Sequence, residues 1–149
     1  MSVEKNLIIF DLDGTLALME HRVHHITSEK PDWTAFYAAC ADDLPNSPII
    51  TVYRALARQG YELWIVSGRS DEVIEQTTAW LKHHVGAFHT LLMRNASDHQ
   101  PDHKLKRSWV EDGTMPQDRV LVVLEDRASV VKMWRALGFS CLQVAPGDF

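Results

Sequence analysis

Five short apolar runs punctuate the chain: residues 7–10 (LIIF), 62–66 (ELWIV), 90–93 (TLLM), 120–124 (VLVVL) and 141–145 (CLQVA). Each has the length of a strand, is rich in β-branched or aromatic residues, and lacks the alternation of a half-exposed ribbon, which predicts strands buried on both faces of a parallel sheet. Between them the apolar residues return at helical spacing. Ser47 and Pro48 predict an N-cap and a first-turn proline, Ile49, Tyr53 and Leu56 fall on one stripe, and Gly60 supplies the exit. Ser70 is expected to cap a helix that begins with Asp71 and Glu72 and turns Val73, Thr77, Trp80 and Leu81 inward. A last helix over 128–137 buries Val130, Val131, Trp134 and Leu137 and stops at Gly138. Strands alternating with helices predict a doubly wound, Rossmann-like α/β fold, with helices on both faces and right-handed crossovers.

One connection breaks the rhythm. About 50 residues separate the first two runs, where a strand-helix-strand crossover needs only a dozen or more. Residues 17–46 are therefore expected as an insertion at the carboxyl end of the first strand, where a small cap would sit within a single domain spanning 1–149. Trp33, Phe36 and Tyr37 lie in it at helical spacing, which predicts local core in preference to a nucleobase platform. The insertion also holds His21, His24 and His25, whose spacing suits no zinc site and predicts solvated or partly buried rings.

Composition narrows the class. The 149 residues are 46% hydrophobic and 23% charged, the ordinary makeup of one globular domain. No apolar run approaches the ~18 residues of a membrane span, and Asp11 and Asp13 interrupt the first run too early for a signal peptide, so a soluble, cytoplasmic protein is expected. Cys40 and Cys141 match no redox or metal spacing and are expected as reduced core residues. The net charge is -5, from 20 acids against 15 bases, which argues against a broad basic face coating nucleic acid. If Asp11, Asp13, Glu125 and Asp126 share one site, the remaining surface is nearly balanced.

The first four runs all end in reactive groups: Asp11-Leu12-Asp13-Gly14-Thr15, Ser67-Gly68-Arg69-Ser70, Arg94, and Glu125-Asp126-Arg127. In a parallel sheet those ends share the edge where open α/β folds bind ligands. Asp11, Asp13 and Asp126 form an oxygen-rich set suited to Mg2+, a hard cation. A calcium loop does not fit, because Gly14 falls at position four of the loop instead of six and Arg22 occupies the twelfth position. Ser67, Gly68 and Arg69 precede a helix whose amide groups and dipole favour a phosphate, and either Lys104 or Lys106 could add an ammonium.

These residues, in this order, resemble the haloacid dehalogenase (HAD) superfamily of phosphotransferases: Asp11-Leu12-Asp13-Gly14-Thr15, then Ser67, then a lysine, then Glu125-Asp126. The likeness narrows to the 3'-phosphatase domain of phage-type polynucleotide kinase/phosphatase through Ser67-Gly68-Arg69, Glu125-Asp126-Arg127, Val131-Lys132-Met133-Trp134-Arg135 and the terminal Gln143-Val144-Ala145-Pro146-Gly147-Asp148-Phe149. The resemblance implies Asp11 as nucleophile, Asp13 as general acid and base, Ser67 and Lys106 as catalytic phosphate contacts, and Asp11, Asp13 and Asp126 around Mg2+. It further implies substrate contacts from Arg22, Asp43, Gly68, Arg69, Arg94 and Arg127. The spacing from Asp102 favours Lys106 over Lys104. Glu125 departs from the usual pair of aspartates, so the metal ligand is assigned to Asp126. No Gly-rich loop ending in Gly-Lys-Ser/Thr exists in these residues, so no ATP-binding kinase domain is expected here.

The resulting expectation is a Mg2+-dependent phosphomonoesterase that removes 3'-phosphates from nucleic-acid ends or nucleotides through an aspartyl-phosphate. The alternative is a small-molecule phosphatase such as a 5'-nucleotidase, since the cap and not the catalytic residues specifies the leaving group. A phosphorelay receiver carries its acidic pair before the phosphorylated aspartate, the reverse of this order, and a dead binding module would not keep every reactive position filled. Acid catalysis by Asp13 requires a carboxyl that holds its proton near neutrality, and crowding beside Asp11 and Asp126 is expected to raise its pKa. The sequence sets no oligomeric state.

Overall fold

The chain, described over residues 3–149 by a computed structural model, alternates short strands with helices. In order these are β1 (Leu7–Phe10), β2 (Ala17–Leu18), a 3-10 turn (Glu20–His25), α1 (Trp33–Ala38), a second 3-10 turn (Ala39–Asp42) and β3 (Leu44–Pro45). There follow α2 (Ser47–Arg58), β4 (Glu62–Ser70), α3 (Ile74–His84), β5 (Thr90–Arg94), α4 (Asp102–Glu111), β6 (Val120–Glu125), α5 (Ala128–Ala136) and β7 (Cys141–Gln143).

Five strands form one sheet in the order β5-β4-β1-β6-β7, with every neighbouring pair parallel. The central strand is wholly buried, and its side chains divide between two layers. Ile8 and Phe10 face Ile50 and Tyr53 of α2 and Trp80 and Leu81 of α3. Leu7 and Ile9 face Val130, Val131 and Trp134 of α5, with Trp109 and Val110 of α4 alongside. This is the α/β sandwich that uninterrupted apolar strands require, because each face needs its own helical cover. At the edges the burial weakens: β5 is only partly buried, and Leu142 on β7 is exposed.

Several boundaries move. α2 is preceded by Asn46 at its N-cap, with Ser47 and Pro48 already inside the first turn. The Asn46 side chain donates to the Thr15 carbonyl at 2.8 Å and so ties the helix start to the loop that follows β1 rather than capping it. β4 continues past Val66 to Ser70 after a shift of register, and β7 stops at Gln143, short of Ala145. Ser70 does cap the turn that leads into α3, its hydroxyl accepting from the Glu72 amide. Cys40 and Cys141 are free and buried, as expected.

The segment 17–46 opens and closes as an antiparallel pair, Ala17 opposite Pro45 and Leu18 opposite Leu44. Trp80 of α3 donates its indole N–H to the Asp43 carbonyl at 2.9 Å, and the Asn46 amide donates to the Leu16 carbonyl at 2.9 Å. The expectation for its aromatics divides. Phe36 is core, but Trp33 is 51% exposed and Tyr37 partly so, because a six-residue helix at the rim cannot bury all of its faces.

Candidate active site

The carboxyl end of β1 meets that of β6 beneath the start of α4. The Asp11 amide donates to the Leu124 carbonyl at 2.9 Å, which holds Asp11 in register with Glu125 and Asp126. One carboxylate oxygen from each of Asp11, Glu125 and Asp126 lies within 4.8 Å of the others. Lys106 Nζ donates to Asp11 Oδ1 at 2.7 Å and to Glu125 Oε2 at 2.8 Å. Thr15 Oγ1 donates to Asp11 Oδ2 at 3.1 Å and to Asp126 Oδ1 at 3.4 Å. Asp11 is thus gripped at both oxygens. Lys106 is buried whereas Lys104 is exposed, because residues 102 and 106 share the inner face of α4 and 104 does not. Gly14 turns the chain away with φ +85°, and a Cβ there would overlap the Asp126 carboxylate.

Three buried carboxylates against one ammonium leave an excess of negative charge. Burial raises the Glu125 pKa first and the Asp11 charge raises it further, with Lys106 opposing. Asp126 is raised in the same way by burial, then by Asp11 and Glu125. A hard divalent cation fits this donor set, since it supplies the missing charge and prefers carboxylate oxygen. The folded protein holds protons here that the unfolded chain releases above about pH 4, so metal-free stability should fall as pH rises from there past neutrality. Thermal melts should therefore show a Tm that declines between pH 6 and 9 without metal, a Mg2+-induced rise that is largest at pH 9, and loss of most of both effects in Asp126→Asn. A flat wild-type profile would count against the arrangement.

Asp13 stands apart from that cluster. Its Oδ1 accepts from Arg22 at 2.6 Å and from Arg69 at 2.5 Å, so its side chain is not brought into the metal set that the sequence suggested. Burial raises its pKa, but the Arg69 and Arg22 charges outweigh burial and hold the carboxyl at about 2. The expected upward shift therefore falls on Glu125 and Asp126, and Asp13 is ionised in the free protein. Beneath it lies Asp43, buried, accepting from Arg22 at both oxygens (2.8 Å each), from Arg69 at 3.2 Å, and paired with His21 at 2.6 Å. Arg22 is fully buried; its guanidinium stacks over Phe36 at 4.4 Å. Arg69 also donates to Thr77 at 3.0 Å, and its amide donates to Ser67 Oγ at 3.0 Å, which fixes the turn after Ser67.

A third group completes the rim. Asp102, at the start of α4, pairs with Arg94 at 2.6 Å and Arg127 at 3.1 Å. Arg94 also donates to the Gly68 carbonyl at 2.8 Å, and Tyr37 Oη donates to the same carbonyl at 3.5 Å. A Cβ on Gly68 would overlap the Asp102 carboxylate, so only glycine lets the two segments approach. Arg127 donates from Nε to the Phe149 carbonyl at 2.9 Å and lies over the Phe149 ring.

The structure thus gathers Asp11, Lys106 and Asp126 at one point, Asp13, Arg22, Asp43 and Arg69 beside it, and Gly68, Arg94 and Arg127 at the rim. Ser67 is buried under the turn between the first two groups. The structure adds to the sequence reading at three residues. Glu125, left out of the metal set in favour of Asp126, sits within the carboxylate cluster. Asp102 served only as a spacing marker, although its place one helical turn before Lys106 signalled a shared face. His21 carried no signal, since its partner Asp43 is distant in sequence.

Comparison with known proteins identifies the family of the chain. Residues 5–149 match the polynucleotide kinase PNKP phosphatase domain. A chain in the structure of the Pnkp1/Rnl/Hen1 RNA repair complex superposes with a TM-score of 0.80 at 32% identity, over 96% of this chain and 43% of that one. A protein of Autographa californica nuclear polyhedrosis virus, described as a bifunctional polynucleotide kinase/RNA ligase, is 28% identical over 132 residues, 87% of this chain but 18% of its own length. The chain spans less than half the length of these relatives. CbbY from Rhodobacter sphaeroides, solved with phosphate, shares the fold at a TM-score of 0.64 and 16% identity, over 97% of this chain and 87% of its own. The chain belongs to the polynucleotide kinase PNKP phosphatase-domain family and is a phosphatase domain of the haloacid dehalogenase type.

Proposed function

We propose that the chain hydrolyses phosphomonoesters at the 3' ends of nucleic acid or of nucleotides, with Mg2+ as cofactor and Asp11 as nucleophile. The observation that carries this reading is the Asp11 carboxylate, oriented by Lys106 and Thr15 and flanked by Asp126 on one side and by two buried arginines near Asp13 on the other. Asp11 and Asp126 would hold the cation, with Glu125 adjacent and Asp13 offering the contact that the family resemblance implies. When bound, the cation offsets the repulsion between the attacking carboxylate and the phosphoryl dianion.

In the first half-reaction Asp11 attacks phosphorus in line, the bond to the sugar oxygen breaks, and Asp13 delivers a proton to that oxygen. In the second, Asp13 takes a proton from the water that attacks the aspartyl-phosphate, restoring Asp11 and releasing inorganic phosphate. Lys106 and Ser67 stabilise the charge on the equatorial oxygens. Arg22 and Arg69 are the phosphate-binding pair, and Asp43 holds both in place; a phosphate that draws them away from Asp13 releases its carboxyl to carry a proton. Gly68, Arg94 and Arg127 line the path of the rest of the substrate, and the segment 17–46 acts as a small cap. The reading includes a cytoplasmic location, which the free, buried cysteines support.

The test is kcat/KM on matched 3'- and 5'-phosphorylated mononucleotides and short oligonucleotides at two salt concentrations. A 3' preference with a shallow salt dependence is expected, because few phosphates are contacted. A clear 5' preference, or a preference for sugar phosphates over all nucleotides, overturns the reading in favour of a small-molecule phosphatase. Asp13→Ala should lose far more activity, by roughly 100-fold, on a sugar phosphate than on an activated aryl phosphate, which leaves without protonation. Equal losses on the two substrates would remove Asp13 from the acid role.

A further inference from the structure

α1 places Tyr37 between the two arginine groups. Tyr37 Oη reaches the Gly68 carbonyl that Arg94 also holds, while the preceding residue, Phe36, has the Arg22 guanidinium over its ring. One helical turn back, Trp33 stands beside Tyr37 with ring centroids 6.0 Å apart and planes tilted by 34°, and meets Phe36 edge-on at 5.6 Å. Trp33 is 51% exposed. The half-buried trio is anchored in three ways: Phe36 is core, its carbonyl accepts from Arg22 at 3.3 Å, and Tyr37 is tied to the end of β4. A large aromatic braced by its neighbours at the lip of a phosphate site, and half exposed, offers its open surface to a stacking ligand. Every nucleobase has a face that such a ring accepts, whatever its hydrogen-bonding edge.

Resting on the 3'-phosphatase reading, we infer that Trp33, braced by Tyr37, stacks on the base of the nucleotide that bears the scissile phosphate and so selects nucleotides over other phosphomonoesters. The arginines bind phosphate whatever carries it. An aromatic wall next to them adds affinity only when the sugar carries a base, and it adds that affinity to bound substrate and transition state alike. The signature is therefore in KM with kcat nearly unchanged. Trp33 is the specificity-determining residue in this proposal and Tyr37 the positioning one.

The experiment compares wild type, Trp33→Ala and Trp33→Phe on a 3'-phosphorylated oligonucleotide and on the same oligonucleotide whose 3'-terminal sugar lacks its base. Trp33→Ala should raise KM on the base-bearing end by roughly tenfold, leave kcat within about twofold, and leave KM on the abasic end unchanged. Trp33→Phe should restore most of the affinity. Trp33 is exposed at the end of a short helix, so matching thermal melts are expected for all three proteins. Normal wild-type turnover with an unaltered KM in Trp33→Ala, or equal rises on both ends, overturns this inference alone. Failure of wild type to hydrolyse any 3'-phosphorylated nucleotide overturns the underlying reading and this inference with it.

Discussion

Asp11→Asn should be inactive, with kcat down by roughly four orders of magnitude or more, yet as well folded as wild type. The amide keeps the shape of the side chain but cannot attack phosphorus, and no neighbour stands in its place, because Asp13 lies outside the carboxylate cluster, on the side of Arg22 and Arg69, and Asp126 faces Asp11 across it. Stability moves the other way from activity. Asp11 is a main source of the charge that raises the Glu125 and Asp126 pKa values, so its removal relieves repulsion at the cost of one partner of Lys106. The metal-free Tm should be equal to or above wild type at pH 8, and the Mg2+-induced increment should shrink. Single-turnover assays alongside melts decide the matter: substantial turnover in a folded Asp11→Asn protein would remove Asp11 as nucleophile.

Lys106→Met should damage both stability and activity. Its ammonium is the only cation that touches the Asp11, Glu125 and Asp126 cluster among the described residues, and it is buried with two of those carboxylates at hydrogen-bond distance. Removing one partner of a buried pair leaves uncompensated charge and costs about 3–5 kcal/mol, a drop in Tm on the order of 10 °C for a domain of this size. Lower pH or added Mg2+ should recover part of that loss, by protonating the carboxylates or by supplying charge. Activity should fall by about 100-fold or more, in line with the loss of an electrostatic stabiliser of the transition state. Lys104→Ala, on the exposed face of α4, should stay within ~0.5 kcal/mol of wild type. A greater effect at Lys104 than at Lys106 would reverse the assignment.

The five strands of the sheet were legible because each is a run that no amphipathic helix could produce, whereas their order in the sheet and the short pair β2-β3 were not read from the sequence. The strand ends were less legible. β4 runs on to Ser70 because its backbone stays paired with β5 at Arg94 after a change of register, and nothing in Ser67-Gly68-Arg69-Ser70 announces pairing. At the site, motif order located the groups but not their alliances. Asp13 follows Asp11 by two residues, so a shared environment was the natural reading. Arg22 and Arg69 arrive instead from the inserted segment and from β4, and they reverse the sign of the pKa shift. Glu125 departs from the usual pair of aspartates, yet its side chain reaches Lys106 and keeps its place beside Asp11. Side-chain pairing across long sequence separations is what periodicity and spacing do not encode.

The segment 17–46 is stapled at both ends, and the staple consists of charge. Arg22 near its beginning and Asp43 near its close clasp each other and Arg69 of β4, in surroundings where neither can be solvated if they part. A lid that swings on a hinge needs low-energy open states, and tearing this clasp apart would strand a buried carboxylate without its two guanidinium partners. The base of the segment is therefore held as a wall, while the exposed tip around residues 27–31 lies outside the clasp. Turnover is then expected not to wait on closure of this segment. Amide hydrogen exchange at Ala17, Arg22, Asp43 and Asn46, whose N–H groups all donate to backbone carbonyls, should be as slow as in the sheet itself.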